Sequence, residues 1–265
     1  MLSFGVLPAR LTILGSGTSH GVPMIGCTCE VCRSDDPRDR RLRPSIYLEV
    51  ESGPSILVDA STDLRQQALA SDIRRVDAIL VTHSHADHVM GMDEVRRFNA
   101  LKGGSIPVFA SPATAGELRR IFQYMFEPPS QRGGGIPQID LHEIDGPFQV
   151  GPLEVQPVPL LHGTLPILGY RFGSFAYLTD ASTIPEAAWP LLGGLDVLVL
   201  NALRHRPHPT HLSLAEAVAV AERLRPRLTF FTHICHDLRH AITNRSLPEG
   251  MALAHDGLQL SVEVD

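Results

Sequence analysis

Short apolar runs of strand length recur along the chain, and each ends in a polar residue able to bind a metal. Ser55-Ile56-Leu57-Val58 ends at Asp59, and Ala78-Ile79-Leu80-Val81 runs into Thr82-His83-Ser84-His85-Ala86-Asp87-His88. Val155 to Leu161 ends at His162, Phe175-Ala176-Tyr177-Leu178 ends near Asp180, and Leu228-Thr229-Phe230-Phe231 ends at His233. Unbroken apolar runs of this length mark strands buried on both faces. Strands that all release polar groups at one end predict a shared site along a sheet edge. Gly53-Pro54 divides residues 45–50 from 55–59 and predicts a hairpin.

Helical spacing fills the intervals. Residues 62–71 and 91–101 read as short helices, and Pro112 opens a helical stretch, ATAGELRRIFQYMF. The clearest helix starts at Ser213, which forms an S-x-x-E capping box with Glu216. Leu214, Ala217, Val218, Ala221 and Leu224 make one apolar face, and Pro226 stops the helix. Residues 131–138, QRGGGIPQ, read as a loop inside a generous 99–138 connection that is expected to shape a pocket. Mixed strands and helices predict a layered α/β (α+β) fold. No domain boundary is visible, so residues 1–265 are expected to form a single domain.

Composition changes this picture in three places. An apolar fraction of 43% and a charged fraction of 20% describe an ordinary globular chain. A formal net charge of −6 with no basic run argues against a broad nucleic-acid or anionic-membrane surface. An anionic substrate stays compatible with that charge, because bound divalent cations reverse the sign of a local site. The N-terminal residues lack a signal-peptide pattern and no run approaches a membrane span, so a cytoplasmic protein is expected. Of the cysteines, Cys27, Cys29 and Cys32 fall in the run CTCEVC, and Cys235 stands apart. That spacing suits a metal better than two disulfides.

The strand-end residues are numerous enough for two ions. In an extended segment His83 and His85 face the same side, so they can grip one ion together. Asp87 and His88 lie further along and can reach a second. The assignment is His83, His85 and His162 on metal one, Asp87, His88 and His233 on metal two, and Asp180 as the bridge. Asp59 is placed behind them, orienting a ligand imidazole. Imidazole and carboxylate donors suit Mn, Zn or Fe. Two ions about 3.5–4 Å apart can hold a water as hydroxide and clamp a phosphoryl or carbonyl group under attack. Asp87, as a ligand of the second ion, is therefore an expected catalytic residue. The three clustered cysteines need one more donor for a tetrahedral structural zinc, and the run Thr232-His233-Ile234-Cys235-His236 offers both Cys235 and His236. Strand parity does not choose between them.

His83-Ser84-His85-Ala86-Asp87-His88 resembles the H-x-H-x-D-H motif of the metallo-β-lactamase superfamily, with Asp59, His162, Asp180 and His233 in that superfamily's order. The resemblance covers nearly the whole chain and implies an αββα sandwich with the dinuclear site at one edge of two mixed sheets. The opening L-G-S-G-T-S-H-G-V-P followed by C-x-C-x-x-C is similar to the PhnP-type branch, the phosphoribosyl 1,2-cyclic phosphate phosphodiesterases. That resemblance implies a structural zinc on Cys27, Cys29, Cys32 and His236, a homodimer, and hydrolysis of a small or cyclic phosphodiester. A coenzyme-biosynthesis protein of the pyrroloquinoline quinone pathway shares a similar cysteine loop but resembles this chain less well.

Phosphodiester cleavage also needs a group to protonate the leaving oxygen, most often a histidine. The segment Arg204-His205-Arg206-Pro207-His208-Pro209-Thr210-His211 is the obvious source. His211, just ahead of the capped helix, is the expected general acid or phosphate ligand, matching the position of the acid histidine in PhnP-type and tRNase Z-like enzymes. His205 and His208 read as surface loop residues. The competing activities are a lactonase or thioesterase on the same fold, a tRNase Z-like nuclease, and a non-catalytic metal-stabilised scaffold. His211 counts against the first. The lack of a basic arm counts against the second, and the complete ligand set against the third.

Overall fold

The computed structural model describes residues 6–127 and 135–265. Residues 131–134 of the expected QRGGGIPQ loop lie outside the described residues; 135–138 are irregular. In chain order the strands are β1 (Leu7–Gly15), β2 (Ser45–Val50), β3 (Ser55–Val58), β4 (Ala78–Leu80), β5 (Ile106–Ala110) and β6 (Ile139–Glu143). They continue with β7 (Phe148–Val150), β8 (Leu153–His162), β9 (Leu165–Phe172), β10 (Phe175–Leu178), β11 (Val197–Asn201), β12 (Leu228–Thr232), β13 (Met251–Leu253) and β14 (Gln259–Val264). The helices are α1 (Leu64–Ala70), α2 (Ala86–Val89), α3 (Val95–Lys102), α4 (Pro112–Ile121), α5 (Gln123–Phe126), α6 (Leu214–Leu224) and α7 (His240–Ser246).

Two seven-stranded sheets form, ordered β14-β1-β2-β3-β4-β5-β6 and β13-β12-β11-β10-β9-β8-β7. Each is half antiparallel and half parallel. The parallel halves are β3 to β6 in the first sheet and β10 to β13 in the second. The apolar runs read from the sequence are the central strands, and their alternation builds the layers. Ile56 and Val58 of β3 face Phe175 and Tyr177 of β10 and Val197 and Val199 of β11 between the sheets. The residues between them point the other way. Leu57 packs with Leu64, Val95, Phe98 and Leu118 of α1, α3 and α4. Ala176, Leu178, Leu198 and Leu200 pack with Leu214 and Ala217 of α6. The result is the expected αββα sandwich.

One expectation needs correction. The 99–138 connection is not a generous loop, because the end of α3, β5, α4 and α5 together occupy more than half of it. Val108 and Ala110 bury in the outer core of the first sheet, and Ser111 caps α4 by accepting from Thr114 N–H at 3.2 Å. The expected helix at 91–101 is a 3-10 turn, Met92–Glu94, followed by α3. The Ser213–Glu216 capping box forms in full, with Ser213 N–H donating to Glu216 at 2.8 Å. Among the described residues no helix is long and apolar enough to cross a membrane.

Candidate metal centres and catalytic cleft

The parallel strands carry their carboxyl ends to one edge, where ligands of open α/β sheets characteristically bind. Three residues one or two positions beyond strand ends take left-handed backbone conformations: Asp59 (φ 64°) after β3, Asp180 (φ 58°) after β10, and His233 (φ 54°) after β12. Non-glycine residues rarely adopt this conformation, and where they do the surroundings over-determine it, often at functional sites. Each one breaks the pleat at the rim and delivers a buried polar side chain to the same cleft.

The His-rich motif divides at Ala86. His83 and His85 precede α2, and Asp87 and His88 lie on it. His83 Nε2 sits 3.0 Å from His85 Nδ1, and these two rings converge with His162 as one donor set. Asp87, His88, Asp180 and His233 converge as a second set. The Asp180 carboxylate stands between them, with Oδ1 3.3 Å from His88 Nε2 and Oδ2 3.1 Å from His233 Nε2. Its Oδ2 is also 3.9 Å from His83 Nε2. This is the position a bridging carboxylate requires.

The residues fit divalent cations on their own geometry. His88 Nε2 and both ring nitrogens of His233 are buried without a hydrogen-bond partner among the described residues. Such atoms cost about 1–3 kcal/mol each when nothing satisfies them. The charge state points the same way. Burial disfavours a charged His233, yet Asp180 and Asp87 outweigh it and hold the ring up at about 9. His88 also rises well above its ordinary value against burial, because Asp180 and Asp59 flank it. Burial opposes ionisation of Asp180, but His233 and His88 keep it well below the usual carboxylate range. Protons thus stand where cations would otherwise balance two buried carboxylates.

Orientation comes from a further layer of contacts. Asp59 accepts from His88 Nδ1 at 2.7 Å, from Thr82 N–H at 2.8 Å and from the Thr82 hydroxyl at 2.8 Å. It therefore turns His88 Nε2 toward the cleft, the role read for it from sequence. His162 Nδ1 donates to the Thr210 carbonyl at 2.6 Å, which frees Nε2. Asn201, at the end of β11, accepts from Ala181 N–H at 2.8 Å and donates to Ala181 O at 3.0 Å, clamping the residue beside Asp180. Sequence reasoning missed Thr82, Asn201 and Thr210. Asn201 carried the same signal as the metal-capable residues, a polar group closing an apolar run. A backbone carbonyl such as that of Thr210 carries none.

His211 reaches the cluster: its Nε2 lies 3.3 Å from Asp180 Oδ2, and its ring stacks on His233. Burial pushes its imidazole down to about 4. The Asp180 carboxylate can only accept, so His211 Nε2 is the nitrogen that presents a hydrogen to the cleft. His205 is exposed, as expected. His208 is not the free surface residue anticipated, because it packs half-buried with its Nδ1 3.3 Å from that of His211. Arg204 donates to the carbonyls of Arg206 and Pro207, and Arg206 faces Asp237 at 3.5 Å. A cavity of about 400 Å³ lies against His211 and His233, walled by Thr18–Gly21 on one side and Arg204, Arg206 and His208 on the other.

A second centre lies beyond that cavity. Cys27, Cys29 and Cys32 place their sulfurs 3.2, 3.6 and 3.5 Å from His236 Nδ1. Tetrahedral zinc with ordinary bond lengths needs sulfur–nitrogen separations of about 3.5 Å. His236 joins the cysteines and Cys235 does not, because the chain turns at His233 instead of continuing the strand. Cys235 Sγ instead accepts from Asp237 N–H at 3.3 Å. Buried Arg41 locks the arrangement by donating to Cys235 O at 2.7 Å, Leu238 O at 2.6 Å and Asp39 at 2.9 Å.

The β-lactamase superfamily domain matches residues 55–234, which include every member of the strand-end cluster. A crystal structure described as a new diphosphatase from the PhnP family superposes with a TM-score of 0.91 at 48% identity, covering 98% of this chain and 99% of that one. This chain belongs to the β-lactamase superfamily, within its PhnP family. Another relative is described as an octanoyltransferase of Porphyromonas gingivalis, 37% identical over 96% of this chain. The chain spans about half of that relative, 52% of its length. Zinc-bound PqqB from Methylobacterium extorquens shares the fold, with a TM-score of 0.76 at 20% identity over 96% of this chain and all of that one. The chain thus has the metallo-β-lactamase fold, with a His/Asp cluster and a Cys₃His cluster whose donor atoms converge as metal ligands would.

Proposed function

We propose that this chain hydrolyses a small or cyclic phosphodiester. His83, His85 and His162 would hold one divalent ion, Asp87, His88 and His233 a second, and Asp180 both. Bound there, the ions supply a deprotonated water as nucleophile and neutralise charge on the phosphoryl oxygens. The chain's own contribution at the reacting atoms is His211. With Nε2–H toward the cleft, His211 can hydrogen-bond a phosphoryl oxygen, and its imidazolium form can give that proton to the leaving oxygen and remain as neutral imidazole. The observation that carries the reading is this placement of His211, 3.3 Å from the central carboxylate and opening onto the cavity. A lactonase or thioesterase has less need of such a donor. A cavity of about 400 Å³ suits a small ester better than RNA. We assign a structural zinc to Cys27, Cys29, Cys32 and His236.

A second reading is hydrolysis of a diphosphate linkage, favoured by the 48% identical relative described as a diphosphatase. Both readings place the attack at phosphorus and differ in the leaving group. The test is turnover by manganese- or zinc-loaded protein on a mixed panel. The panel holds an aryl phosphodiester, 5-phosphoribosyl 1,2-cyclic phosphate, a 2′,3′-cyclic nucleotide, a diphosphate diester, a lactone and a thioester. Cleavage of phosphorus substrates alone is expected, and their rank order separates the two readings. Activity confined to the lactone or thioester would overturn both.

A further inference from the structure

We propose that Thr210 is a positioning residue for the reaction, setting a metal-site histidine with its carbonyl and the proton donor with its hydroxyl. The polar atoms of Thr210 meet three histidines, its hydroxyl lying between two of them. Its carbonyl accepts from His162 Nδ1 at 2.6 Å. Its hydroxyl lies 2.9 Å from His211 Nδ1. Its backbone N–H points at His208 Nδ1 at 3.3 Å. The N–H of Thr210 is necessarily a donor, so His208 Nδ1 accepts. The hydroxyl also lies 3.2 Å from His208 Nδ1, so it can donate there while accepting from His211 Nδ1–H. The Asp180 carboxylate can only accept, so His211 Nε2 carries its hydrogen toward the cleft. The hydroxyl therefore holds the ring from its Nδ1 side with Nε2–H directed at the cleft.

The fold holds Thr210 firmly. Leu212 N–H donates to Ala181 O at 2.8 Å and Leu203 N–H to Leu212 O at 2.9 Å, closing the loop on the segment that follows Asp180. Gly163, in the turn after His162, has φ +63°, and a Cβ there would come within 3.0 Å of Thr210 Cγ2. The β8–β9 turn and the Thr210 loop thus fit against each other with no room for a side chain between them. The hydroxyl and the carbonyl act on different centres, so a substitution that removes only the hydroxyl separates the two roles.

The inference rests on reading His211 as the donor to the leaving oxygen, and the experiment separates the two claims. Thr210→Val, Thr210→Ser and His211→Ala are compared on two phosphodiesters that differ only in leaving group, a 4-nitrophenoxide and an alkoxide. Metal content is measured on each variant. The nitrophenoxide leaves unprotonated and has little need of an acid; the alkoxide depends on one. Thr210→Val is expected to lower kcat for the alkyl ester about 10- to 100-fold more than for the aryl ester, with KM and metal content little changed. Thr210→Ser restores the alkyl rate. Equal losses on both esters, or no rescue by serine, would overturn the positioning role. A selective loss in His211→Ala with none in Thr210→Val would sink the Thr210 inference and leave the acid standing. Non-selective behaviour of His211→Ala would remove both.

Discussion

His233 and His236 are three residues apart, yet they serve centres of opposite character. The strand-end cluster gathers side chains from five places in the sequence, spread over both sheets, and mixes imidazole with carboxylate around a central Asp180. The cysteine cluster takes three donors from one six-residue loop and a single distant histidine. The first opens onto a cavity and has donor geometry for a shared carboxylate. The second brings three sulfurs and one imidazole together, the composition of a closed structural site. The last strand connection supplies both sets, and His233 and His236 line the same cavity. A structural zinc on the second set would act on chemistry through position alone.

Substitutions divide the two regions by size of effect. Asp180→Ala is expected to remove both cleft ions and abolish measurable turnover while the cysteine-bound zinc remains. Elemental analysis should show two metals lost, and retention of both would refute the bridging role. His211→Ala should leave metal content intact and reduce phosphodiester turnover about 10²-fold or more. Asp59→Asn removes the charged acceptor behind His88 and should weaken cleft metal affinity by about 10- to 100-fold without changing the zinc. Cys29→Ser should release one zinc and lower Tm by roughly 5–10 °C, at about 2–4 °C per kcal/mol for a chain of this size. Cys235→Ser, one residue from His236 and two from His233, should change neither metal count.

Acidity gives a graded version of the same contrast. At pH 7 the metal-free cleft holds protons on His233, raised to about 9, and on His88, raised well above its ordinary value. An ion must displace them, so affinity should fall as pH drops from 9 to 6, by about ten-fold per unit for each proton released. Calorimetry in buffers of different ionisation enthalpy counts those protons. A pH-independent affinity would contradict the charge assignment.

The two regions also differed in how openly the sequence declared them. The strand-end donors showed because β3, β4 and β10 are buried on both faces, so their apolar runs are unbroken and the first polar residue stands out; β12 is mostly apolar and ends the same way. The cysteine loop showed through spacing alone, but its fourth donor did not. Choosing His236 over Cys235 depends on the left-handed turn at His233, which strand parity cannot supply. β5 and β6 were hidden for a related reason. IPVFA and IDLHE alternate with exposed or half-exposed residues, and the former begins beside glycines and a proline. The supporting contacts were least visible. Thr210 acts on His162 through its backbone, and His208 is drawn inward by a loop closed onto Ala181.

The most direct test is a set of anomalous difference maps from crystals of metal-loaded protein, recorded on either side of the zinc and manganese edges. Three peaks are expected. Two should lie in the cleft on either side of Asp180, one against His83, His85 and His162 and the other against Asp87, His88 and His233. The third should be a zinc held tetrahedrally by Cys27, Cys29, Cys32 and His236. A single cleft ion, a carboxylate other than Asp180 between two ions, or zinc ligated by Cys235 would contradict the account.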